Sequence, residues 1–315
     1  MPSFNSTSES FISYCRNERR MSPHTVRAYR LDLNRFGEFL TENYPQITVE
    51  QTTKEHLRAY QQSLGQLKPR SVGRRMAALR SLFYYAETEK LIEMSPFEGL
   101  RLRIRVGRAL PRVLGRKTIE RLFGTLYNRP ATTVPATLRK QQDIAIMELL
   151  FGAGLRVGEV SHLAVEKVDM DSATIRVDGK GARERLVPII SAELKTALSD
   201  YAQVRRIHDQ TAPEFFVCYR HGQRLSEDSI RRAVHRLARW AGVGRVTPHM
   251  FRHTFATMLL DRGVDLRVIQ RLLGHSSIVT TTIYAQVSDY SQRRILNSAN
   301  PRMLIKSGQL KSRDN

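Results

Sequence analysis

Apolar residues recur at helical spacing along most of the chain, and the amino-terminal third shows this periodicity most clearly. A helix is predicted from Ser22 to about Leu40, because serine followed by proline is a typical helix start. Thr52 and Glu55 resemble a capping box before a second helix, and a third helix is predicted from about Pro69 to Ala86. Residues 1–98 are therefore predicted to form a small helical bundle.

The rest of the chain combines helical patterns with one predicted β-hairpin. Two short strands, Thr174–Val177 and Arg185–Ile190, flank a glycine-rich turn at residues 178–182. The helices of this part are predicted at about Thr118–Tyr127, Leu138–Phe151, Ser191–Arg206 and Ser226–Trp240, and from Leu155, Thr247 and Asp265 onward. The predicted fold class is mainly α with a small β component.

Residues 99–117, between these two parts, contain no acidic residue. Their seven basic residues are Arg101, Arg103, Arg105, Arg108, Arg112, Arg116 and Lys117. Arginines that alternate with apolar residues also fit an edge strand, but a position between two domains favours a linker along a nucleic-acid backbone. Residues 99–113 are interpreted as this basic linker.

The charge balance narrows the class of partner. The chain has 315 residues, a net charge of +21 and a sequence pI of about 10.6. A polyanion is expected to bind, and nucleic acid is favoured over an anionic membrane surface. No apolar run reaches the roughly 18 residues of a membrane span, and no secretory signal is recognisable. Two cysteines make no disulfide framework, so a cytoplasmic, nucleoid-associated location is expected.

The stretch Thr247–Val287 concentrates the candidate chemistry. His249 and Arg252 are three residues apart at a predicted helix start, so they share one face of its first turn. His275 follows the predicted end of the next helix, and Tyr284 comes nine residues later. A site of basic groups and one phenol indicates chemistry on an anion.

Two metal-binding alternatives are weaker. His249, His253 and His275 could ligate zinc, but the glutamate of an HExxH motif is missing. Asp169 and Asp171 could bind the metal of a nuclease or transposase, although their place between a helix and a strand favours turn residues.

Several short motifs occur in a fixed order along the chain: GLRVGEV, GKG followed by RERLVP, HMFR overlapping RHTFAT at Arg252, LLGH and TTTIY. They contain Arg156, Lys180, His249, Arg252, His275 and Tyr284. This set resembles the tyrosine recombinases, closest to the Xer type of bacteria. The amino-terminal SPHTVRAYRLDL also resembles the core-binding domain of that family, so the similarity covers essentially the whole chain. Gly158 departs from the pattern, because the family often has a serine there.

The resemblance implies a domain organisation. Residues 1–98 would form a helical, SAM-like core-binding domain, and residues 114–290 an α+β catalytic domain joined to it by the linker. Together the two domains would form a C-shaped clamp around DNA. Residues 291–315 would be a protomer-docking segment and basic tail, longer and more basic than is expected of the Xer type.

The resemblance also implies roles for the basic residues of the site. A phosphodiester gains negative charge in the transition state of attack, and Arg156 and Arg252 would hold its non-bridging oxygens. Glu159, one turn beyond Arg156, would contact that arginine and orient it toward the phosphate. No cofactor is expected. The reaction conserves the energy of the phosphodiester bond, so neither ATP nor metal is needed. In agreement, no phosphate-binding GxxxxGK[ST] motif occurs.

The remaining catalytic roles concern proton transfer. Tyr284 would be the nucleophile, and its ordinary pKa of about 10 means that its proton must be removed. His249 would accept that proton, and His275 would donate a hydrogen bond to the phosphate. Lys180 would protonate the departing 5′ oxygen.

Further arginines are candidates for DNA contact. Those of the third helix are predicted to point outward, and the net charge favours phosphate contact over an ordinary solvated face. The candidates are Arg70, Arg74, Arg75 and Arg80 on this helix, and Arg101, Arg103 and Arg105 in the linker.

The predicted function is site-specific DNA strand exchange through a 3′-phosphotyrosyl intermediate, in a tetrameric synapse of two DNA duplexes. The tetramer could contain one kind of subunit or two, and an accessory or translocase protein could act on it. Chromosome dimer resolution and mobile-element integration or excision both stay open. The alternatives are a DNA-binding accessory protein without strand transfer and a type IB topoisomerase.

Overall fold

The computed structural model describes residues 3–102, 112–179, 184–208 and 212–274. The chain divides into two compact units, Met1–Ala109 and Leu110–Asn315. Each unit has its own hydrophobic core. Both units are mainly helical, and the described strands all belong to the second unit.

In the described part of the first unit, four helices form a bundle. They are α1 (Phe4–Asn17), α2 (Pro23–Asn43), α3 (Lys54–Ser63) and α4 (Pro69–Thr88). Three of them were predicted; α1 was not, because serine, threonine and asparagine interrupt its apolar pattern. The α2 start is confirmed, since the Ser22 side chain accepts a hydrogen bond from the Thr25 backbone N–H. Phe36 and Phe83 lie fully buried at the centre of the bundle.

The capping box predicted at Thr52 and Glu55 is wrong by one residue. Thr53 is the N-cap of α3, and its backbone N–H donates to Nδ1 of His56 at 3.0 Å. Thr52 is buried and donates its hydroxyl to the Thr48 carbonyl at 3.0 Å. Two adjacent threonines offered equivalent caps, and the burial of Thr52 decides between them.

The first residues of the predicted linker belong to the bundle. Leu100 is buried in the core of the first unit and Leu102 packs against it, while Arg101 is exposed. The packed part of this unit therefore extends beyond residue 98. Leu114 is buried in the core of the second unit, and its backbone N–H donates to the Thr254 hydroxyl at 2.8 Å.

The described part of the second unit contains seven α-helices. It also contains a three-stranded antiparallel sheet in the order β1–β2–β3. The helices are α5 (Arg116–Tyr127), α6 (Val134–Gly152), α7 (Val157–Ser161), α8 (Ala192–His208), α9 (Glu227–Trp240), α10 (Pro248–Asp261) and α11 (Leu266–Leu273). The strands are β1 (Val168–Asp169), β2 (Thr174–Asp178) and β3 (Glu184–Pro188). Residues Gln142 to Leu150 of α6 are all buried, so this helix forms the centre of the unit.

The predicted hairpin is confirmed as β2 and β3, with Val177 opposite Arg185. The short β1 was not predicted. The Asp169 side chain accepts backbone hydrogen bonds from Asp171 at 3.0 Å and Ser172 at 2.9 Å. This geometry fits the turn interpretation of the two aspartates.

Local signals correctly predicted the helices that carry the candidate chemistry. The Thr247 side chain caps α10 by accepting from the Met250 N–H at 3.4 Å. The Asp265 side chain caps α11. Gly274 ends α11 with a φ of +64°, in the left-handed region that glycine favours.

Gly154, which follows α6, is expected to tolerate no side chain. Its φ is +64°, and a Cβ would lie 2.5 Å from the Phe255 ring and 2.9 Å from Leu273. Gly154→Ala should therefore lower the free energy of unfolding by about 1–3 kcal/mol. Urea unfolding followed by the fluorescence of Trp240, the single tryptophan of the chain, measures the second unit.

Gly124→Ala in α5 is the matched control, because a Cβ there meets no atom within 4 Å. This control should be stabilised by about 0.5–1 kcal/mol, as helical glycines usually are when replaced by alanine. Equal urea midpoints for Gly154→Ala and the unchanged protein would contradict the steric argument.

Candidate functional site

Three elements of the second unit bring charged side chains together. Arg156 and Glu159 lie at the start of α7, Arg185 lies on β3, and Arg252 lies near the start of α10. These residues come from segments far apart in sequence, so only the folded chain assembles them. The cluster is called the arginine site below, and it consists of Arg156, Glu159, Arg185 and Arg252.

The Glu159 carboxylate is at the centre of the arginine site. Its side chain is only 8% exposed. Oε1 accepts from Nη1 of Arg156 at 2.6 Å and from Nη1 of Arg185 at 2.9 Å. Oε2 accepts from Nη2 of Arg185 at 2.8 Å and from the Arg156 backbone N–H at 2.8 Å. Nη1 of Arg252 lies 3.8 Å from Oε2. The carboxylate is thus shared among three guanidinium groups.

The surrounding charges determine the protonation of Glu159. Burial by itself would raise the pKa of this carboxyl group. The hydrogen bonds and charge of Arg185, followed by those of Arg156, outweigh burial and lower the pKa to about 2. Glu159 is therefore ionised at neutral pH, and the arginine site combines three positive charges with one negative charge.

The same three arginines bind the carboxyl-terminal end of α11. The last carbonyls of a helix have no partner within the helix and carry partial negative charge. Here three consecutive carbonyls each accept a hydrogen bond from a different arginine. The pairs are Leu272 with Nε of Arg185 at 2.9 Å, Leu273 with Nη2 of Arg252 at 2.6 Å, and Gly274 with Nη2 of Arg156 at 3.0 Å. His275 follows directly in the sequence.

Arg156 and Arg252 differ in exposure. Arg252 is 3% exposed, and its Nη1 also donates to the Gly154 carbonyl at 2.7 Å. The Arg156 side chain is 36% exposed, so part of its guanidinium is accessible to an anion. Both groups are held in place before any ligand arrives, which is the arrangement expected of an oxyanion-binding site.

His249 lies one turn before Arg252 on α10. The residue is exposed, yet desolvation of its ring is the main cause that lowers the pKa of this histidine. The charges of Arg252, Arg231 and Arg156 lower the pKa further. His249 is therefore expected to be a neutral imidazole, able to accept a proton.

The neighbouring His253 is a poor candidate for the same role. Its ring centre is 6.4 Å from that of His249, and burial, followed by the charges of His249 and Arg252, lowers its pKa to about 4. Within the described ranges, no group of three or more histidine, cysteine, aspartate or glutamate residues could hold a metal ion. The expectation that no metal is needed stays a prediction.

Several predicted site residues lie outside the described residues. They are Lys180, His275, Tyr284, Arg103 and Arg105. The structure brings together the other four predicted residues of the catalytic domain, which are Arg156, Glu159, His249 and Arg252. Their catalytic roles are taken up below as proposals.

The sequence analysis missed Arg185. The signal was available, because Arg185 alternates with Val187 and Ile189, both buried, whereas Leu186 is 64% exposed. An arginine on the inward phase of a strand requires a buried acidic partner. That partner, Glu159, lies 26 residues earlier in the chain, too far for a local pattern to indicate it.

The arginines of α4 follow the prediction with one exception. Arg70, Arg74 and Arg80 are exposed. The prediction that Arg75 points outward is wrong, because its side chain is only 12% exposed and lies beside Asp32, which is fully buried. The Asp32 carboxylate lies on α2 and draws this arginine inward. DNA contact by the α4 arginines stays a prediction.

Comparison with known proteins identifies the class. Residues 113–290 match the phage integrase family, and residues 9–90 match the N-terminal SAM-like domain of phage integrases. The tyrosine recombinase XerC of Myxococcus xanthus is 36% identical over 312 residues, which cover 96% of this chain and 100% of the relative. A tyrosine recombinase of Agathobacter rectalis is 32% identical, with 93% and 95% covered.

Solved structures agree on the fold. The crystal structure of XerA recombinase has 27% sequence identity and a TM-score of 0.52, covering 95% of this chain and 99% of that one. XerH bound to its difH substrate has 22% identity and a TM-score of 0.71, covering 96% and 85%.

The chain therefore belongs to the phage integrase family. Within that family it is a site-specific tyrosine recombinase of the Xer-like kind, an enzyme that acts on DNA. The predicted family, fold class and enzyme class are confirmed. None of the described helices is both long and apolar enough to span a membrane.

The lowered pKa of Glu159 predicts a pH-dependent contribution to stability. A carboxyl group with a lowered pKa stabilises the folded state above its ordinary pKa, and this stabilisation is lost as pH falls toward 2. Glu159→Gln should therefore be less stable than the unchanged protein at pH 6. The difference in the free energy of unfolding between the two proteins should be about 3 kcal/mol smaller at pH 2 than at pH 6. Urea unfolding at both pH values, followed by Trp240 fluorescence, measures it.

Glu166→Gln is a suitable control, because it removes the same charge from an exposed position in the same unit. A stability difference for Glu159→Gln that is equal at pH 6 and pH 2 would show that the carboxylate charge is not what holds the arginines.

Proposed function

We propose that this recombinase cleaves DNA by attack of the Tyr284 phenol on a phosphodiester. The products are a 3′-phosphotyrosyl DNA and a free 5′ hydroxyl, and a 5′ hydroxyl from the partner strand reverses the step. The observation that carries the proposal is the arginine site, in which Glu159 and the end of α11 fix two guanidinium groups. No ATP or metal is required, because the phosphotyrosyl bond conserves the energy of the phosphodiester.

In this mechanism Arg156 and Arg252 bind the non-bridging oxygens of the scissile phosphate. Guanidinium groups stay charged at any working pH and donate paired hydrogen bonds. Negative charge grows on these oxygens during attack, so donors that are already positioned stabilise the transition state more than the ground state. The Arg252 guanidinium is buried, which strengthens this interaction by excluding water.

Groups beside these two arginines carry out the proton transfers. His249, with its lowered pKa, accepts the phenolic proton of Tyr284. Lys180 donates a proton to the departing 5′ oxygen, and His275 donates a hydrogen bond to the phosphate. The pentavalent transition state then has cationic or hydrogen-bonding groups on the attacking, equatorial and leaving sides.

DNA binding beyond the scissile phosphate uses the basic surface. We assign phosphate contacts to the exposed arginines of α4, to the exposed Arg101 and, from the sequence alone, to the two arginines that follow it in the chain. Those candidates are Arg70, Arg74, Arg80, Arg101, Arg103 and Arg105. Arg75 is assigned a different task, because its side chain is largely buried beside Asp32. Arg74 also donates to the Asp32 carboxylate, but nearly half of its side chain stays exposed.

The complete reaction requires a synapse of two duplexes that carry the specific recombination site. We propose a tetramer of one or two kinds of subunit, with residues 291–315 docking onto a neighbouring protomer. Its work is chromosome dimer resolution or mobile-element integration and excision, in the cytoplasm at the nucleoid, with control by an accessory or translocase protein. The Xer names of the relatives support this assignment.

A nicked suicide substrate tests the strand-cleavage step. In a buffer with chelator, the unchanged protein should form a covalent protein–DNA adduct that survives denaturation. Tyr284→Phe should form none, because it lacks the attacking oxygen. The adduct is detected by denaturing electrophoresis of labelled DNA.

Tyr219→Phe is the matched control, since Tyr219 is a phenol of the same unit that contacts Arg139 and Arg220. It should form the adduct normally. Salt-sensitive DNA binding without any adduct on several cognate sites would instead support an accessory DNA-binding protein.

The lowered pKa of His249 predicts the pH profile of cleavage. Because the pKa of the imidazole lies below its ordinary value of about 6.5, the cleavage rate measured at subsaturating DNA should change little from pH 8 to pH 7, and its acid limb should lie below about pH 6.5. His249→Asn should cleave about 10²-fold more slowly or worse and lose this acid limb. A profile with its half-maximum above pH 7 would contradict the assignment of His249 as the base.

A further inference from the structure

We propose that Arg185 is a positioning residue for DNA strand cleavage: it fixes Glu159 and the end of α11, and thereby aligns Arg156 and Arg252 on the phosphate. This inference rests on the proposed function, in which those two arginines bind the scissile phosphate. Arg185 itself is 12% exposed and is not required to contact DNA.

Among the arginines of the site, Arg185 makes the most complete contact with the carboxylate. Its two terminal nitrogens reach both oxygens of Glu159, at 2.9 and 2.8 Å. Such a paired contact fixes the plane of a carboxylate, whereas a single contact leaves it free to rotate. The Arg156 guanidinium reaches only Oε1, and the nearest nitrogen of Arg252 lies 3.8 Å from Oε2. Arg185 therefore determines how Glu159 faces the two phosphate-binding groups.

The position of Arg185 is itself fixed by the sheet. Val177 on β2 lies opposite it in the antiparallel pair, and the adjacent Val187 is buried. The third nitrogen of the Arg185 side chain, Nε, donates to the Leu272 carbonyl at 2.9 Å. A single guanidinium group therefore joins β3, the start of α7 and the end of α11.

Loss of Arg185 should leave the carboxylate mobile within a cluster of positive charge. Glu159 could then approach Arg252 more closely and compete with the phosphate for its donors. The carbonyl of Leu272 would lose its partner, and the last turn of α11 would shift relative to Arg156 and Arg252. Displacement of catalytic groups by about 1 Å is enough to slow a reaction about 10²-fold.

The first experiment compares Arg185→Gln with Arg176→Gln. Arg176 is an exposed arginine on the facing strand, and its Nη2 donates to the Glu166 carbonyl at 3.1 Å. Both variants remove one positive charge from the same hairpin. The measurements are the Kd for DNA carrying the site, the single-turnover rate of adduct formation, and urea unfolding.

For Arg185→Gln we expect adduct formation about 10²-fold slower with a Kd within about twofold of the unchanged protein. Arg176→Gln should keep both the rate and the Kd. Arg185→Lys keeps the charge but cannot form the planar paired contact of a guanidinium with both carboxylate oxygens, so it should recover only part of the rate. If Arg185→Gln does not fold, Arg185→Lys provides the same test, with urea unfolding to show that it is as stable as the unchanged protein. Its rate of adduct formation should then be about tenfold lower than that of the unchanged protein.

A double variant separates positioning from a general structural effect. If Arg185 acts mainly through Glu159, then the loss of rate in Arg185→Gln combined with Glu159→Gln should be much smaller than the product of the two single losses. Fully additive losses would overturn the proposal, as would a stable Arg185 variant that cleaves at the unchanged rate.

The unchanged protein and Tyr284→Phe are run in the same assay. If the unchanged protein forms no adduct, the proposed function fails, and the role of Arg185 fails with it. If the adduct forms but Arg185 variants cleave normally, only the role of Arg185 is refuted.

Discussion

The second unit depends on one buried interaction, the contact of the Glu159 carboxylate with three arginines. Burying a charge is unfavourable unless partners compensate it, and three guanidinium groups close together repel one another. The carboxylate and the final carbonyls of α11 provide that compensation. Compared with an uncharged core of similar volume, the arrangement contributes little net stability, because desolvation opposes the attraction. Removal of the carboxylate alone is unfavourable, because the guanidinium groups then lose their counter-charge. The value of the arrangement lies in holding positive charge at a fixed position where an anion can bind.

The positive charge of the arginine site also affects the protonation of His249. Positive charge from Arg252 and Arg156, added to desolvation, lowers the pKa of His249 and keeps its imidazole neutral. In the proposed mechanism, one cluster thus prepares two functions, binding of a phosphate and acceptance of a proton. A bound phosphate would add negative charge beside His249, which would raise the proton affinity of this histidine. On this proposal, DNA binding favours the proton transfer that follows it.

Features with local causes could be predicted from the sequence, and features with distant causes could not. The start of α10 follows from the Thr247–Pro248 pair, and the motifs carrying Arg156 and Arg252 indicated the site before the fold was known. Arg185 was missed because its partner lies on another element. Arg75 was placed on the wrong side of α4 because Asp32, 43 residues earlier, attracts it. In each miss, a buried carboxylate determined the direction of an arginine.

Two glycines allow backbone carbonyls to lie close to the guanidinium groups of the arginine site. Gly154 and Gly274 both have a φ of +64°, and their carbonyls accept hydrogen bonds from Arg252 and Arg156 respectively. A Cβ on Gly274 would lie 2.9 Å from Nη1 of Arg185. The absence of side chains lets the backbone approach the guanidinium groups and turn sharply beside them. The glycines in the GLR and LLGH motifs therefore belong to the site through their backbone, since any larger residue would push the carbonyls away from the arginines.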